Sequence, residues 1–362
     1  MVLSDYSMGW QKEFDRYPGI KLEYTPLDLM WKCAKYSNFN EHYPHFFAKS
    51  GYFAFFIYDP DKFWVYDIFR VQMVLNALNA SNVRRALIEP KTIDEAIAFI
   101  QQMIDSGNLV WATHIEPILI YGIEGPKGKE RVHWYNPNVA PDGSTWGRDE
   151  INEWWMLQKN YGQHILISPV RVVPGVNTED EITVELIKLV VQNYRNREIE
   201  IGDEKVAFGF GAYDRYIADL RNEDFDFLKK FGDNQTQIRT AWFSFSIYSQ
   251  WTQYFAAHSY FTSVAKMFPE NESKILQRIA DSYADAFGHW LKWEKIIGRH
   301  PDENVFLQRI GSMDARNKAA DEVELAKKSL IEAIDAQKEF IEIAGISLDE
   351  DEDDNSGDET EN

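Results

Sequence analysis

Few side chains in this sequence are suited to covalent chemistry. Cys33 is its single thiol, and eight histidines are available as bases. A cysteine nucleophile reacts as the thiolate, which a helix N-terminus or a nearby cation must stabilise while an imidazole takes the proton. Cys33, in Trp31-Lys32-Cys33-Ala34, lies about eight residues into a predicted helix, roughly two turns from its positive end. There it reads as a small buried hydrophobe. Thr25 carries a hydroxyl, but Thr25-Pro26-Leu27-Asp28 reads as an N-cap, a proline at the first helical position and an acid at the third. A threonine nucleophile needs a paired base or a free N-terminal amine, and neither adjoins it. His114, three residues before Pro117 on a predicted strand, is the candidate base, and an ordinary partly buried histidine is the simpler reading.

His42 and His45 are three apart, but Pro44 between them disfavours a helix and no third ligand is near, so no metal site is expected. The sequence holds no Gly-x-x-x-x-Gly-Lys, no Gly-x-Gly-x-x-Gly after a strand, no Gly-x-Ser-x-Gly and no His-Glu-x-x-His. No cofactor is expected. Trp242 and Trp251 bracket an aromatic stretch with serines between the rings. It reads as core packing, or as a pocket floor turned toward the first half of the chain.

The elements that must position these residues fall into two blocks. A helix starts at Thr25, and the aromatic run 50–58 predicts a buried strand closed by Asp59-Pro60-Asp61. Helices are predicted over 66–80 and from the capping box Thr92-Ile93-Asp94-Glu95 to Gly107. Strands follow at 109–113, 117–123 and 131–135, the last two joined by Glu124-Gly125-Pro126-Lys127-Gly128. Another strand covers 165–173. Beyond Pro174-Gly175 the signals turn helical, from Thr178-Glu179-Asp180-Glu181 to an amphipathic segment at 315–343. The predicted class is α+β, with an antiparallel-sheet domain at 1–175, an all-helical domain at 176–345 and a disordered acidic tail at 346–362.

Composition narrows the function classes. The net charge is −20, and nine acids with no lysine or arginine fall within the last 14 residues. Without those nine, 49 acids still face 38 basic residues. Such a surface repels phosphates and anionic lipid, so neither a nucleic acid nor a membrane is an expected partner. The 12 tryptophans, 18 tyrosines and 23 phenylalanines supply large apolar side chains for a core. Residues 1–6 show no basic or apolar leader pattern, and a cytoplasmic location is the default expectation.

The order of elements resembles a known family. The Ser-Gly-Tyr-Phe-Ala-Phe segment at 50–55 is followed by Thr-Ile-Asp-Glu-Ala-Ile…Asp-Ser-Gly-Asn-Leu-Val at 92–110. Then come Pro-Ile-Leu-Ile-Tyr-Gly-Ile at 117–123 and Val-His-Trp-Tyr-Asn-Pro at 132–137. Together they resemble the C39-like, papain-fold domains of the butirosin-biosynthesis acyltransferase type. Gly209-Phe210-Gly211-Ala212-Tyr213, continuing to Asp219-Leu220, is similar to the Gly-x-x-Ala-Tyr…Asp-Leu signature that opens their helical domain. The resemblance spans roughly residues 20–300. It implies a catalytic cysteine at the N-terminus of the first helix, a histidine at the start of a strand and an Asp or Asn at the next strand end. In this chain those positions fall at Thr25 or Pro26, at Pro117, and at Asn136.

The resemblance thus implies a degenerate relative of cysteine peptidases and acyltransferases, which binds a small molecule, peptide or protein partner in the former cleft. Tyr24, Thr25, His114, Pro117 and Asn136 are expected to line it, with Trp242 or Trp251 closing one wall. The alternative is an acyltransferase or amide hydrolase using Thr25 or Cys33 with His114. A third reading, a structural or assembly subunit that could form a homo-oligomer, rests on the acidic tail and the charged helix at 315–343.

Overall fold

The computed structural model of the protein describes residues 25–60, 69–114, 117–137, 139–161, 164–201, 203–230, 236–298 and 303–346. Tyr24 and the acidic run from Asp349 lie outside them. The chain opens with α1 (Thr25–Tyr36) and α2 (Tyr43–Lys49), followed by a short 3-10 turn at Tyr52–Ala54 and β1 (Ile57–Tyr58). Then come α3 (Arg70–Ala80), β2 (Val83–Ile88), α4 (Ile93–Asp105), β3 (Val110–Ala112), β4 (Ile118–Glu124), β5 (Arg131–Asn136) and β6 (Ala140–Trp146). Next are α5 (Arg148–Tyr161), β7 (Leu166–Val172), α6 (Glu179–Arg195), β8 (Glu198–Ile201) and β9 (Glu204–Phe208). The chain continues with α7 (Gly209–Arg221), α8 (Phe227–Lys230), α9 (Thr236–Val264), α10 (Glu270–Ile297), α11 (Glu303–Ile310) and α12 (Met313–Ile343).

The class is α+β with antiparallel sheets and a helical C-terminal region. Six strands make one sheet in the order β2-β7-β3-β4-β5-β6, every pair antiparallel. Val110, Trp111 and Ala112 of β3 are all buried, so both sheet faces are covered there. α1 packs on β3, β4 and β7, and α4 on β3 and β4. Two of the helix starts read from sequence form as capped ends. Thr92 Oγ1 accepts from the Glu95 backbone amide at 3.2 Å, and Thr178 and Glu181 make the reciprocal pair of a capping box.

Two expectations are corrected. The aromatic run 50–58 is a strand only at Ile57–Tyr58, because Gly51 adopts a left-handed conformation (φ 72°) and turns the chain into the 3-10 segment. The region after residue 175 is not all-helical. β8 and β9 form a hairpin, and β9 pairs with β1 through Ile57↔Phe208 and Tyr58↔Ala207. The alternation in Glu198-Ile199-Glu200-Ile201 is short enough to hide between two strong helices. A single hydrophobic core therefore runs across residue 175. Phe53 meets Phe261 and Tyr283, and Phe56 stacks on Tyr213 at 4.2 Å. The Ile57 amide donates to Gln250 Oε1 at 2.7 Å.

Two glycines set contrasting limits on this packing. A Cβ at Gly211 in α7 would lie 2.0 Å from the Arg197 carbonyl oxygen, whereas one at Gly288 in α10 would meet nothing within 4 Å. Gly211→Ala must push backbone from backbone and lowers the unfolding free energy by about 3 kcal/mol. Gly288→Ala raises it by about 1 kcal/mol through helix propensity and reduced unfolded-state entropy. Denaturant unfolding of the two variants reads both signs.

Candidate functional site

α1 lies diagonally across the main sheet. From its C-terminal half Lys32 Nζ donates to Asp28 Oδ2 at 3.0 Å and lies 3.4 Å from the Tyr135 hydroxyl of β5. Just past its C-terminus, Ser37 Oγ donates to the Pro169 carbonyl of β7 at 2.9 Å. Asp28 and Lys32 are both buried. Burial disfavours the Lys32 cation, but the Asp28 carboxylate and the Tyr135 hydroxyl outweigh it and hold its pKa above the usual lysine value. Lys32 therefore stays an ammonium and is no amine nucleophile.

Cys33 is fully buried. Burial pushes its thiol far above the ordinary range, and the adjacent Lys32 charge offsets this only in part. Reactive thiols need the opposite surroundings, exposed and electropositive. Thr25 begins α1, and its side chain lies outside the described residues. Asn136 is also fully buried. Its Nδ2 donates to the Pro117 carbonyl at 2.7 Å, and its Oδ1 accepts from the Val139 amide at 3.0 Å. The side chain ties the start of β4 to the β5–β6 turn.

His114 belongs to a different set of neighbours. Its ring centroid is 5.8 Å from Trp146, which lies 4.7 Å from Trp134 and 5.9 Å from Trp154. Trp154 Nε1 donates to the Thr113 carbonyl at 3.2 Å, and Trp155 stacks flat on His164 with centroids 3.7 Å apart. Trp134 and Tyr135 are consecutive on β5 and point to opposite faces. This tryptophan shelf thus lies on the sheet face away from Lys32 and Tyr135. His114 and Trp146 are half-buried there, so the shelf has a solvent-facing edge.

The single cleft expected from sequence is therefore corrected. Its members separate into the α1–Tyr135 face, the buried Asn136–Pro117 clamp and the His114 shelf. Trp251 is 1% exposed, stacks on Trp290 and meets Phe287 at a tilt inside the helical core, because α9 packs on α2, the 3-10 turn and α10. The side chain of Trp242 and all of Tyr24 lie outside the described residues.

A hydroxyl–imidazole contact does occur, at residues the sequence reading passed over. Thr145 on β6 stands directly across from His133 on β5. Its Oγ1 is 3.0 Å from His133 Nδ1, and His133 Nε2 is 3.2 Å from Glu124 Oε1. His133 was visible in Val132-His133-Trp134-Tyr135, but Thr145 becomes its neighbour only through β6. That strand's sequence, Ala140-Pro141-Asp142-Gly143-Ser144, carries turn residues and no alternation. Among the described residues no group of three His, Cys, Asp or Glu side chains is placed to hold a metal ion. No described helix is long and apolar enough to cross a membrane.

Comparison with models of known protein families gives no match, and neither does comparison with curated proteins.

Proposed function

We propose that the protein is a binding protein of the C39-like, papain-fold kind that has lost covalent catalysis, and that it takes a small molecule or peptide on the His114 shelf. The observation that carries this reading is the half-buried imidazole of His114 against Trp146, backed by Trp134 and Trp154. Flat indole faces beside one hydrogen-bonding ring favour a ligand with an aromatic or apolar face and a polar edge. The course of α1 over β3, β4 and β7 agrees with the helix-on-sheet layout that the resemblance implies. Polar groups along that helix and at the adjoining strand ends are already engaged: Lys32 with Asp28 and Tyr135, and Asn136 with Pro117 and Val139. Titrating the protein with a fragment and dipeptide library should move the indole N–H resonances of Trp146 and Trp155 first. Hits that leave both in place while shifting other indoles would relocate the site.

The Thr145–His133–Glu124 line favours a second reading, a hydrolase or acyltransferase. Thr145 Oγ1 would attack an acyl carbon as its proton passes to His133 Nδ1. The leaving alcohol or amine would take that proton as its bond to the acyl carbon breaks. p-Nitrophenyl acetate separates the two readings. We expect no burst of nitrophenolate. A burst of one equivalent per chain that vanishes in both Thr145→Val and His133→Ala would establish the enzyme. In the same preparation, iodoacetamide should leave native Cys33 untouched and alkylate it completely once the chain is unfolded in guanidinium, as mass spectrometry would register.

A further inference from the structure

Among the described residues β2 is an edge strand of the main sheet, and β7 is its only sheet partner. On this pair Arg84 stands directly across from Arg171. Directly opposed residues of an antiparallel pair share a face, and like charges placed so repel. Both arginines are exposed, and among the described residues neither guanidinium takes part in a hydrogen bond or ion pair. Arg85 follows, held through Nη1 by Asn79 Oδ1. A β-bulge lies between Arg84 and Arg85, where the register shifts, and this twists the edge locally. In a chain with 58 acids and 38 basic residues, carboxylate partners are abundant. Two adjacent guanidiniums left without one are set for an anion that comes from elsewhere.

We infer that this patch receives the chain's own acidic run, Asp349–Glu361, as an electrostatic strap across the β2 edge. Charge complementarity is the first argument. The run holds nine carboxylates and no basic residue, while the rest of the chain is itself negative and repels the run over most of its surface. The exit point of the chain is the second. Phe340, in the last turns of α12, meets Phe268 just beyond α9, and Tyr260 near the end of α9 bonds Thr183 near the start of α6 at 3.0 Å. α6 starts right after Asn177, whose amide donates to Asn82 Oδ1 at 2.8 Å, two residues before Arg84. A relay of packed segments thus runs from the last turns of α12 through α9 and α6 to the Arg84 end of β2. Ten extended residues span about 33 Å, which sets the reach of the run beyond Ile346. Tethering raises the effective concentration to about the millimolar range, enough for a contact too weak to form between separate chains.

The full chain with Ser356→Cys, carrying a nitroxide on that added thiol, provides the test, because Cys33 is buried. At about 20 mM salt the amide resonances of 83–85 and 170–172 should broaden more than tenfold over those of β6. The effect should vanish near 1 M salt, where the Debye length is about 3 Å, and also in Arg84→Gln/Arg171→Gln, which keeps the strand's shape. Uniform broadening, or broadening unchanged in the double variant, would overturn the strap. So would broadening in a mixture of spin-labelled, unenriched chains with nitrogen-15 chains lacking the label, since the run would then be docking on a second copy.

Discussion

Lys49→Met should lower the unfolding free energy at pH 8 by about 3–5 kcal/mol. Lys49 closes α2 with its ammonium 6% exposed, 2.6 Å from Glu41 Oε1 and 3.1 Å from Glu179 Oε2 of α6. Glu41 is fixed in turn by the Ser81 hydroxyl at 2.8 Å. Methionine keeps the stem but leaves two half-buried carboxylates facing each other. The loss should also depend on pH. In the native protein burial holds the His45 pKa below its ordinary 6.5; Lys49 and His42 act in the same direction, and Glu41 and Glu179 oppose. Tyr260 packs on the same ring at 5.9 Å. A histidine depressed in the fold contributes stability that is complete above about pH 6.5 and lost as pH falls toward its folded value. Removing Lys49 reverses this. The two carboxylates raise His45, which then stabilises the variant at low pH as a substitute cation. The deficit measured by urea unfolding should shrink by about 1 kcal/mol between pH 8 and pH 5.5. An equal deficit at both pH values would show that the ion pairs do not carry the effect.

Arg316→Met should cost about 3 kcal/mol and lower Tm by roughly 4 °C. Arg316 of α12 donates through Nε to the Leu220 carbonyl at 2.9 Å and through Nη2 to those of Asp219 and Asn222, both at 2.6 Å. One guanidinium thus satisfies the open end of α7 while lying over the Phe227 ring at 4.9 Å. Helix C-termini leave such carbonyls orphaned, and a cation there also meets the negative end of the helix dipole. Lysine cannot reproduce the planar fork, so Arg316→Lys should recover less than half of the loss. Hydrogen exchange should speed up first at residues 217–222. Recovery by lysine to the native level would mean that charge alone, and not the fork, caps the helix.

The sequence was most readable where a local rule acts alone. Thr92, Thr178 and Gly107 marked helix boundaries because caps depend on a few consecutive residues. The hairpin of β4 and β5 followed from its glycine-rich turn. The family resemblance leads one to expect the start of the first helix against 117–123, and α1 as a whole packs on β3, β4 and β7. Partnerships between distant strands were not readable. β6 forms because β5 offers it an edge, so Thr145 could not be matched with His133, nor Trp146 with His114. Trp251 was placed at a cleft because an aromatic stretch carries no information about which neighbour it faces. The resemblance assigns Asn136 to the position of a catalytic Asp or Asn. Its amide instead ties two backbone segments that the sequence does not bring together.

The pairing of Ile57–Tyr58 with Ala207–Phe208, and the bond from Ile57 to Gln250, 193 positions later, have a consequence during synthesis. Among the described residues the first strand has no sheet partner until β9 has left the ribosome, and the Ile57 amide meets Gln250 only when α9 has followed. At roughly 5–20 residues per second, the apolar segment from Phe53 to Tyr58 waits about 10–40 s for its partners. During that interval six nearly continuous aromatic and aliphatic side chains are open to chaperones and to neighbouring nascent chains. A ribosome-bound chain stopped before Gln250 should therefore be held by trigger-factor-like chaperones and cut by protease within 53–58, and one extended well past Val264 should resist.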